Sequence, residues 1–279
     1  MHYSGQKIAF LTQHGKDHLL QPLFSDLLGC EIVRAEGFDT DQIGTFTRDI
    51  ERQGTQFAAA RFKAKKAIEL TGLAVGMGSE GAFGGDPAGG LMPWNLEVLV
   101  WVDSHRQVEI VGVAQGPGGG LQRSLTSESE LRQFAHDADF PGHGVILRPD
   151  SHDDPRIYKE SINWRLLKET FYAALEESSQ GRVVAEVDLR AHRNPTRQKM
   201  ILRAAENLIL KIRSACTECG TPGFWEKAKV PGLPCGLCRQ PTRMPKTFIW
   251  QCDSCEYTEE KSVPADEYAD PSRCDYCNP

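Results

Sequence analysis

Eight of the nine cysteines fall within the last 64 residues, and they fall there as four Cys-x-x-Cys pairs: Cys216/Cys219, Cys235/Cys238, Cys252/Cys255 and Cys274/Cys277. No other feature limits the fold so tightly. Thiolates two residues apart grip one tetrahedral ion, and two such pairs complete a four-sulfur site. The gaps between successive pairs are 15, 13 and 18 residues, close to zinc-ribbon spacing. Two structural zinc ions and eight ligands follow. The simplest pairing joins the first two knuckles on one ion and the last two on the other; interleaving the first with the third and the second with the fourth is the alternative. Without metal, the 67 residues from position 213 onward hold too few aliphatic side chains to stay folded, so the ions act as staples. A closed site of four thiolates has no open position for water, hence no catalysis of its own. Cys30, alone in an apolar strand, is expected to be buried.

With 279 residues the rest of the chain is long enough for a substantial core. The net charge of −6 is spread evenly: residues 1–212 hold 24 basic and 28 acidic side chains, residues 213–279 hold 8 and 10. Neither part is the basic body expected of a protein that lives on phosphate backbones. No apolar run approaches the roughly 20 residues that span a bilayer, and the first residues lack the apolar core of a signal peptide. No membrane association is expected, and eight reduced thiols place the chain in the cytoplasm.

Residues 7–12 read as a strand, Thr12-Gln-His-Gly-Lys16 leads into a helix with Leu19, Leu20, Leu23 and Leu27 at helical spacing that stops at Gly29, and residues 30–35 read as a second strand. That order predicts a parallel unit. A polar stretch from Phe38 to Thr55 is expected as a loop or a loop with a short helix. The helix from Gln56 to Thr71 carries Phe57, Ala60, Ala64, Ala67 and Ile68 on one side and stops at Gly72. An apolar strand then runs into the glycine-rich Gly76-Met-Gly-Ser-Glu-Gly81. Residues 97–103 and 107–114 alternate around a short turn and predict an antiparallel hairpin. Ser127 and Glu130 form a capping box, residues 145–148 and 183–188 read as strands, and Asn194-Pro195 opens a long helix. The expected fold is α/β, a mixed twisted sheet flanked by helices over residues 1–212, with a small tandem zinc ribbon over 213–279.

Ligand sites in such sheets lie at the carboxyl ends of strands. Thr12, His14 and Lys16 follow the first strand, and Gly15 lets helix-start amides face an anion. Glu51 lies in the polar loop, Arg61 and Lys63 on the next helix, and Glu80 among glycines after the third strand. Cations and amides for phosphates, with Glu51 and Glu80 for magnesium, make a phosphoryl cleavage site for a small phosphorylated substrate. Asp103 or Glu97 is the candidate base. Arg190 and Arg197 are candidates to clamp the anion, with Asp188 either holding one arginine or forming an internal salt bridge. A hydrolase built on Ser79 with His14 or His143 ranks below this, because Gly78-Ser-Glu-Gly81 lacks the nucleophile-elbow pattern. In the ribbon, Phe224, Trp225, Phe248, Trp250 and Tyr257 offer stacking surface, so the rival reading is a non-catalytic adaptor that docks a protein or RNA partner.

The motifs Asp39-Thr-Asp41, Gly44-Thr-Phe46, Ser79-Glu-Gly81, Asp188-Leu-Arg-Ala191, Asn194-Pro-Thr-Arg197 and the four knuckles resemble a bacterial family known as a domain of unknown function. Over residues 7 to about 212, the order of elements is also similar to the inosine/xanthosine triphosphate pyrophosphatase superfamily. There a Thr-x-Asn-Pro-x-Lys turn follows the first strand, a Glu precedes an Arg-Ala-rich helix, and Gly-x-Glu-Gly-Gly presents an acid. Thr12, Glu51, Arg61, Glu80 and Thr196-Arg197 fall at corresponding places. His14 stands where the asparagine would be, Lys16 comes one residue early, and Ala82 replaces the second glycine. The resemblance implies pyrophosphohydrolase chemistry on a nucleotide with magnesium.

Overall fold

The computed structural model of the chain describes residues 2–13, 15–39, 55–159 and 161–279. The first strand, β1 (Lys7–Phe10), runs through helix α1 (Lys16–Leu28) into β2 (Glu31–Arg34), and the two strands pair in parallel. Helix α2 (Gln56–Thr71) then leads to β3 (Val75–Gly85), parallel to β1 on its other side. Strands β4 (Pro93–Asp103) and β5 (Val108–Pro117) add in antiparallel fashion, giving the order β2-β1-β3-β4-β5. Both the parallel unit and the hairpin thus follow the sequence pattern. The glycine-rich segment after Glu80, which reads as a loop, stays in the ladder as far as Gly85 opposite Pro93.

Helices cover both faces of this sheet. Gly76 and Gly78 explain how α2 lies so close: a Cβ on Gly78 would stand 2.0 Å from the Ala60 carbonyl and one on Gly76 2.2 Å from that of Ala64. On this side Ala60 and Ala64 pack against Val98 and Val100 of β4. The other face carries α1 and α5 (Pro195–Arg213), whose Leu20, Phe24, Ile201, Ala204 and Leu208 enclose Met77, Leu99 and Trp101. The buried stripe of α1 is Leu20, Phe24 and Leu28, with Leu19, Leu23 and Leu27 packed along its margin. Phe57 of α2 is 39 % exposed, and Lys63 takes an inward position instead.

The late strands do not extend this sheet. Strands β6 (Gln122–Leu125), β7 (Val145–Pro149) and β8 (Val183–Val187) form a second, antiparallel sheet in the order β6-β8-β7. Helices α3 (Glu128–Asp137) and α4 (Trp164–Glu176) close its separate core around Phe134, Leu147, Leu167 and Phe171. The expected caps are made: Ser127 and Glu130 form a reciprocal capping box, and Asn194 accepts from the Arg197 amide with Pro195 in the first turn.

The cysteine-rich segment adds a three-stranded antiparallel sheet of β9 (Trp225–Pro231), β10 (Pro245–Gln251) and β11 (Thr258–Ser262), with β10 central. It follows directly from α5 and is seated on it: the Gly223 amide donates to the Lys211 and Ser214 carbonyls. Gly223, at φ 95°, passes so near Ile110 of β5 that a Cβ would stand 2.9 Å from its side chain. Among the described residues, no helix is long and apolar enough to cross a membrane.

Candidate metal centres and a buried charge cluster

The four cysteine pairs share one local device. In each, the amide four residues after the first cysteine donates to that cysteine's carbonyl: Gly220 to Cys216, Arg239 to Cys235, Glu256 to Cys252 and Asn278 to Cys274, at 2.9–3.1 Å. The turn is tight enough that Gly220, Arg239 and Glu256 all take positive φ. The first cysteine of every pair is buried. Amides of Leu237 and Ser254 donate to Cys235 Sγ and Cys252 Sγ at 3.4 Å, as partners of thiolate ligands do.

Cys216, Cys219, Cys252 and Cys255 form one group and Cys235, Cys238, Cys274 and Cys277 the other, with the sulfur atoms of each group within 4.8 Å of one another. Individual separations are 3.7 Å for Cys216–Cys255, 3.6 Å for Cys219–Cys252, 3.8 Å for Cys235–Cys277 and 3.7 Å for Cys238–Cys274. A tetrahedron with Zn–S bonds of about 2.3 Å has edges of about 3.8 Å. The donor sets therefore fit two zinc ions in closed, structural sites. The pairing is the interleaved one, which corrects the simplest expectation. The sheet imposes it: Trp225 at the start of β9 pairs with Gln251 at the end of β10, so the first knuckle meets the third. Seven-residue β9 carries the second knuckle roughly 20 Å away. There Cys235 bridges to Ala269 and the fourth knuckle arrives.

A second concentration of chemistry lies at the carboxyl end of β1 and beside the middle of β3. Strand β1 is paired with β3 only as far as Phe10 opposite Met77, and Ser79, Glu80 and Gly81 continue past it. Successive strand residues face opposite ways, so Ser79 and Gly81 turn toward α1 and α5 while Glu80 turns toward α2. Lys63, drawn in by the contact of α2 with Gly78, pairs with Glu80. On the opposite face, Arg197 in the first turn of α5 donates from Nε to Glu97 Oε1 at 2.6 Å and from Nη1 to Leu189 O at 2.7 Å. Only glycine fits at position 81, where a Cβ would lie 2.3 Å from Glu97 Oε1 and 2.6 Å from Arg197 Nη2. Asn95 donates to the same Glu97 oxygen at 3.2 Å. Lys16, the first residue of α1 behind a left-handed Gly15, donates to Ser79 Oγ at 3.1 Å. Lys16, Lys63, Glu80, Glu97 and Arg197 are all at most 9 % exposed.

Ionised groups so buried stay charged only through one another. Lys63 has Glu80 and Arg197 has Glu97, whereas the described partner of Lys16 is a neutral hydroxyl. Burial, helped by the Arg197 charge, pushes the Lys16 ammonium down to about 7 against the pull of Glu97 and Glu80. Three cations and two carboxylates in low dielectric form an arrangement suited to an anion.

The structure thus gathers Lys16, Lys63, Glu80 and Arg197 around one stretch of β3, Lys63 and Glu80 on its α2 face and Lys16 and Arg197 on the other, all near enough to act on the Lys16 charge, and buried Thr12 lies on the connection that leads from β1 into α1. It does not bring Arg61 or Asp103 there. Arg61 is on the outer side of α2, doubly bonded to Glu109 of β5 at 2.7 and 2.6 Å. Asp103 pairs with Val75, at the opposite end of β3. Burial there opposes ionisation, but bonds from the Arg106 amide and side chain and from the Tyr3 hydroxyl outweigh it and hold the carboxyl below its usual range. Arg190 makes an internal ion pair with Asp188 at 2.7 Å and donates to Lys159 O. His143 faces Thr196 Oγ1 at 3.0 Å, and Ser79 is bonded by Lys16. His14 and Glu51 lie outside the described residues. Asn95 is the cluster residue that sequence reading leaves out, since an amide near a strand start carries no chemical signature.

Fold and metal centres together define a mixed α/β protein carrying an interleaved pair of four-cysteine sites. A family model described as a domain of unknown function, DUF6671, matches residues 63–279, and the chain belongs to that family. The match takes in Lys63, Glu80, Glu97, Arg197 and all eight paired cysteines. No curated protein matches the chain.

Proposed function

We propose that the cluster at the carboxyl end of β1, beside the middle of β3, binds the phosphates of a nucleotide-like substrate and hydrolyses it, with the zinc ribbon as a structural module. The observation that carries this reading is the convergence of Lys16, Lys63, Glu80, Glu97 and Arg197, buried from five different elements. A soluble domain has no folding reason to bury three cations together, because each costs desolvation energy that apolar residues would avoid. An anion repays that cost. The resemblance read in the sequence to the inosine/xanthosine triphosphate pyrophosphatase superfamily supports it only through Thr12, Glu80 and Thr196-Arg197, since Arg61 pairs with Glu109 away from the cluster.

In this reading Lys16, Lys63 and Arg197 neutralise phosphoryl oxygens, and Glu97 holds Arg197 in place. Lys63 leaves Glu80 for the incoming phosphate, so that the Glu80 carboxylate becomes a hard oxygen donor for magnesium. Glu51 is the proposed second donor. Magnesium bound there supplies charge for the phosphoryl oxygens and an activated water. The first domain is taken to run to residue 212 and the ribbon from 213, with the ribbon free to dock a protein or RNA partner.

The test is release of pyrophosphate or phosphate from a panel of nucleoside di- and triphosphates by the zinc-loaded full chain with magnesium. Turnover is expected, and Glu80→Gln is expected to lower kcat by at least about 100-fold with zinc content unchanged. A wild-type protein that turns over no nucleotide contradicts the hydrolase reading; retained pyrophosphate binding without turnover points to the non-catalytic adaptor.

A further inference from the structure

We infer that Lys16 is a proton-coupled anion ligand: it takes up a proton as a phosphate group enters the cluster, so that the site binds anion and proton together. This rests on the anion-binding part of the proposed function and adds how that binding is linked to pH.

The geometry sets Lys16 apart from its two neighbouring cations. Lys63 and Arg197 are each matched to a carboxylate, at Glu80 and Glu97. Lys16 is as buried as they are, yet its amine meets the hydroxyl of Ser79. A hydroxyl serves an amine and an ammonium alike, donating to the first and accepting from the second, so this contact survives loss of the proton. The charged groups that act on Lys16 come from every side: Lys63 from α2, Glu80 from β3, Glu97 from β4 and Arg197 from α5. The acid beside it in the chain is Asp17, also buried. Burial is the largest influence and disfavours the charged form, Arg197 adds to it, and the result brings the group to about 7. A phosphate placed among Lys16, Lys63 and Arg197 reverses that balance, because a doubly charged anion within bonding distance favours the ammonium strongly. Gly15, left-handed and without a side-chain cap, leaves the first amides of α1 to face the same anion.

The linkage has a direction. Well below pH 7 Lys16 already carries its proton, and binding takes up none. Above pH 7 the amine is neutral in the unliganded protein, and binding must protonate it, so affinity falls as pH rises by up to about tenfold per pH unit.

The experiment is calorimetry of inorganic pyrophosphate binding to the zinc-loaded full chain, in buffers of different ionisation enthalpy, at pH 6 and pH 8. Pyrophosphate titrates in this range itself, so the quantity that counts is the difference between wild type and Lys16→Arg, whose guanidinium keeps its proton throughout. The wild type is expected to take up about one proton more than Lys16→Arg at pH 8 and almost none more at pH 6. Lys16→Met, which removes the amine, serves as a second check and should match Lys16→Arg in proton uptake while binding more weakly. Equal uptake in wild type and Lys16→Arg at pH 8 overturns the inference even if nucleotides are hydrolysed. Extra uptake without turnover sustains it while the hydrolase reading fails, and absence of any pyrophosphate binding overturns both.

Discussion

The double variant Cys219→Ser/Cys255→Ser will retain one equivalent of zinc, and Cys219→Ser/Cys238→Ser will retain none. The two pairs of substitutions remove the same number of thiolates, and all three cysteines are exposed, so neither opens a core. What differs is which ion loses them. Cys219 and Cys255 belong to one group of four and Cys238 to the other, so the first variant abolishes one site and the second damages both. Had the knuckles paired in sequence order, the outcomes would exchange. Metal analysis after gel filtration reads the result directly. Interleaving also predicts that the surviving ion in the first variant is held less tightly, because β10, which connects the second knuckle to the third, is no longer anchored at its Cys252 end. Metal binding and folding are one equilibrium in a module this small.

The buried ion pair between β4 and α5 should be nearly as sensitive. Arg197→Met leaves Glu97, fully buried, with the Asn95 amide as its remaining described partner, and is expected to cost about 3–5 kcal/mol. Adding Glu97→Gln to it should recover a large part of that loss, since an uncharged amide replaces a stranded carboxylate. Urea unfolding with zinc in excess measures both. A loss under about 1 kcal/mol for Arg197→Met is the behaviour of a solvated surface pair and would contradict the burial described here. The recovered double variant, restored in fold but lacking the guanidinium, is expected to bind pyrophosphate poorly, which separates stability from recognition.

How far these features could be read in advance follows from their chemistry. The eight ligands were legible because metal coordination fixes both residue type and spacing. Their pairing was not, because it depends on β9 and β10 running antiparallel, and the charged Lys227, Lys229 and Lys246 hide those strands. Glu97 was legible as a buried acid: it shares its alternating phase with Leu99 and Trp101. The stripe Phe57, Ala60, Ala64, Ala67 and Ile68 takes in Arg61, four residues after Phe57, as readily as Lys63, so helical spacing could not tell that Lys63 turns inward and that Arg61 pairs with Glu109 across the surface. Asp103 shares the phase of Glu97 but sits six residues on, at the far end of an eleven-residue strand, so alternation alone could not place it. The second sheet escaped because Gln122-Arg-Ser-Leu125 is exposed at three of four positions and has no apolar pattern.

The central claim is that the buried cations form an anion site. A crystal structure of the zinc-loaded protein with pyrophosphate tests it most directly. The anion is expected at the carboxyl end of β1, beside the middle of β3, bonded to Lys16 and Arg197, with Lys63 moved from Glu80 toward it. Pyrophosphate bound elsewhere, with the Lys63–Glu80 and Arg197–Glu97 pairs intact and no anion beside them, would show that the cluster only holds the sheet to its helices.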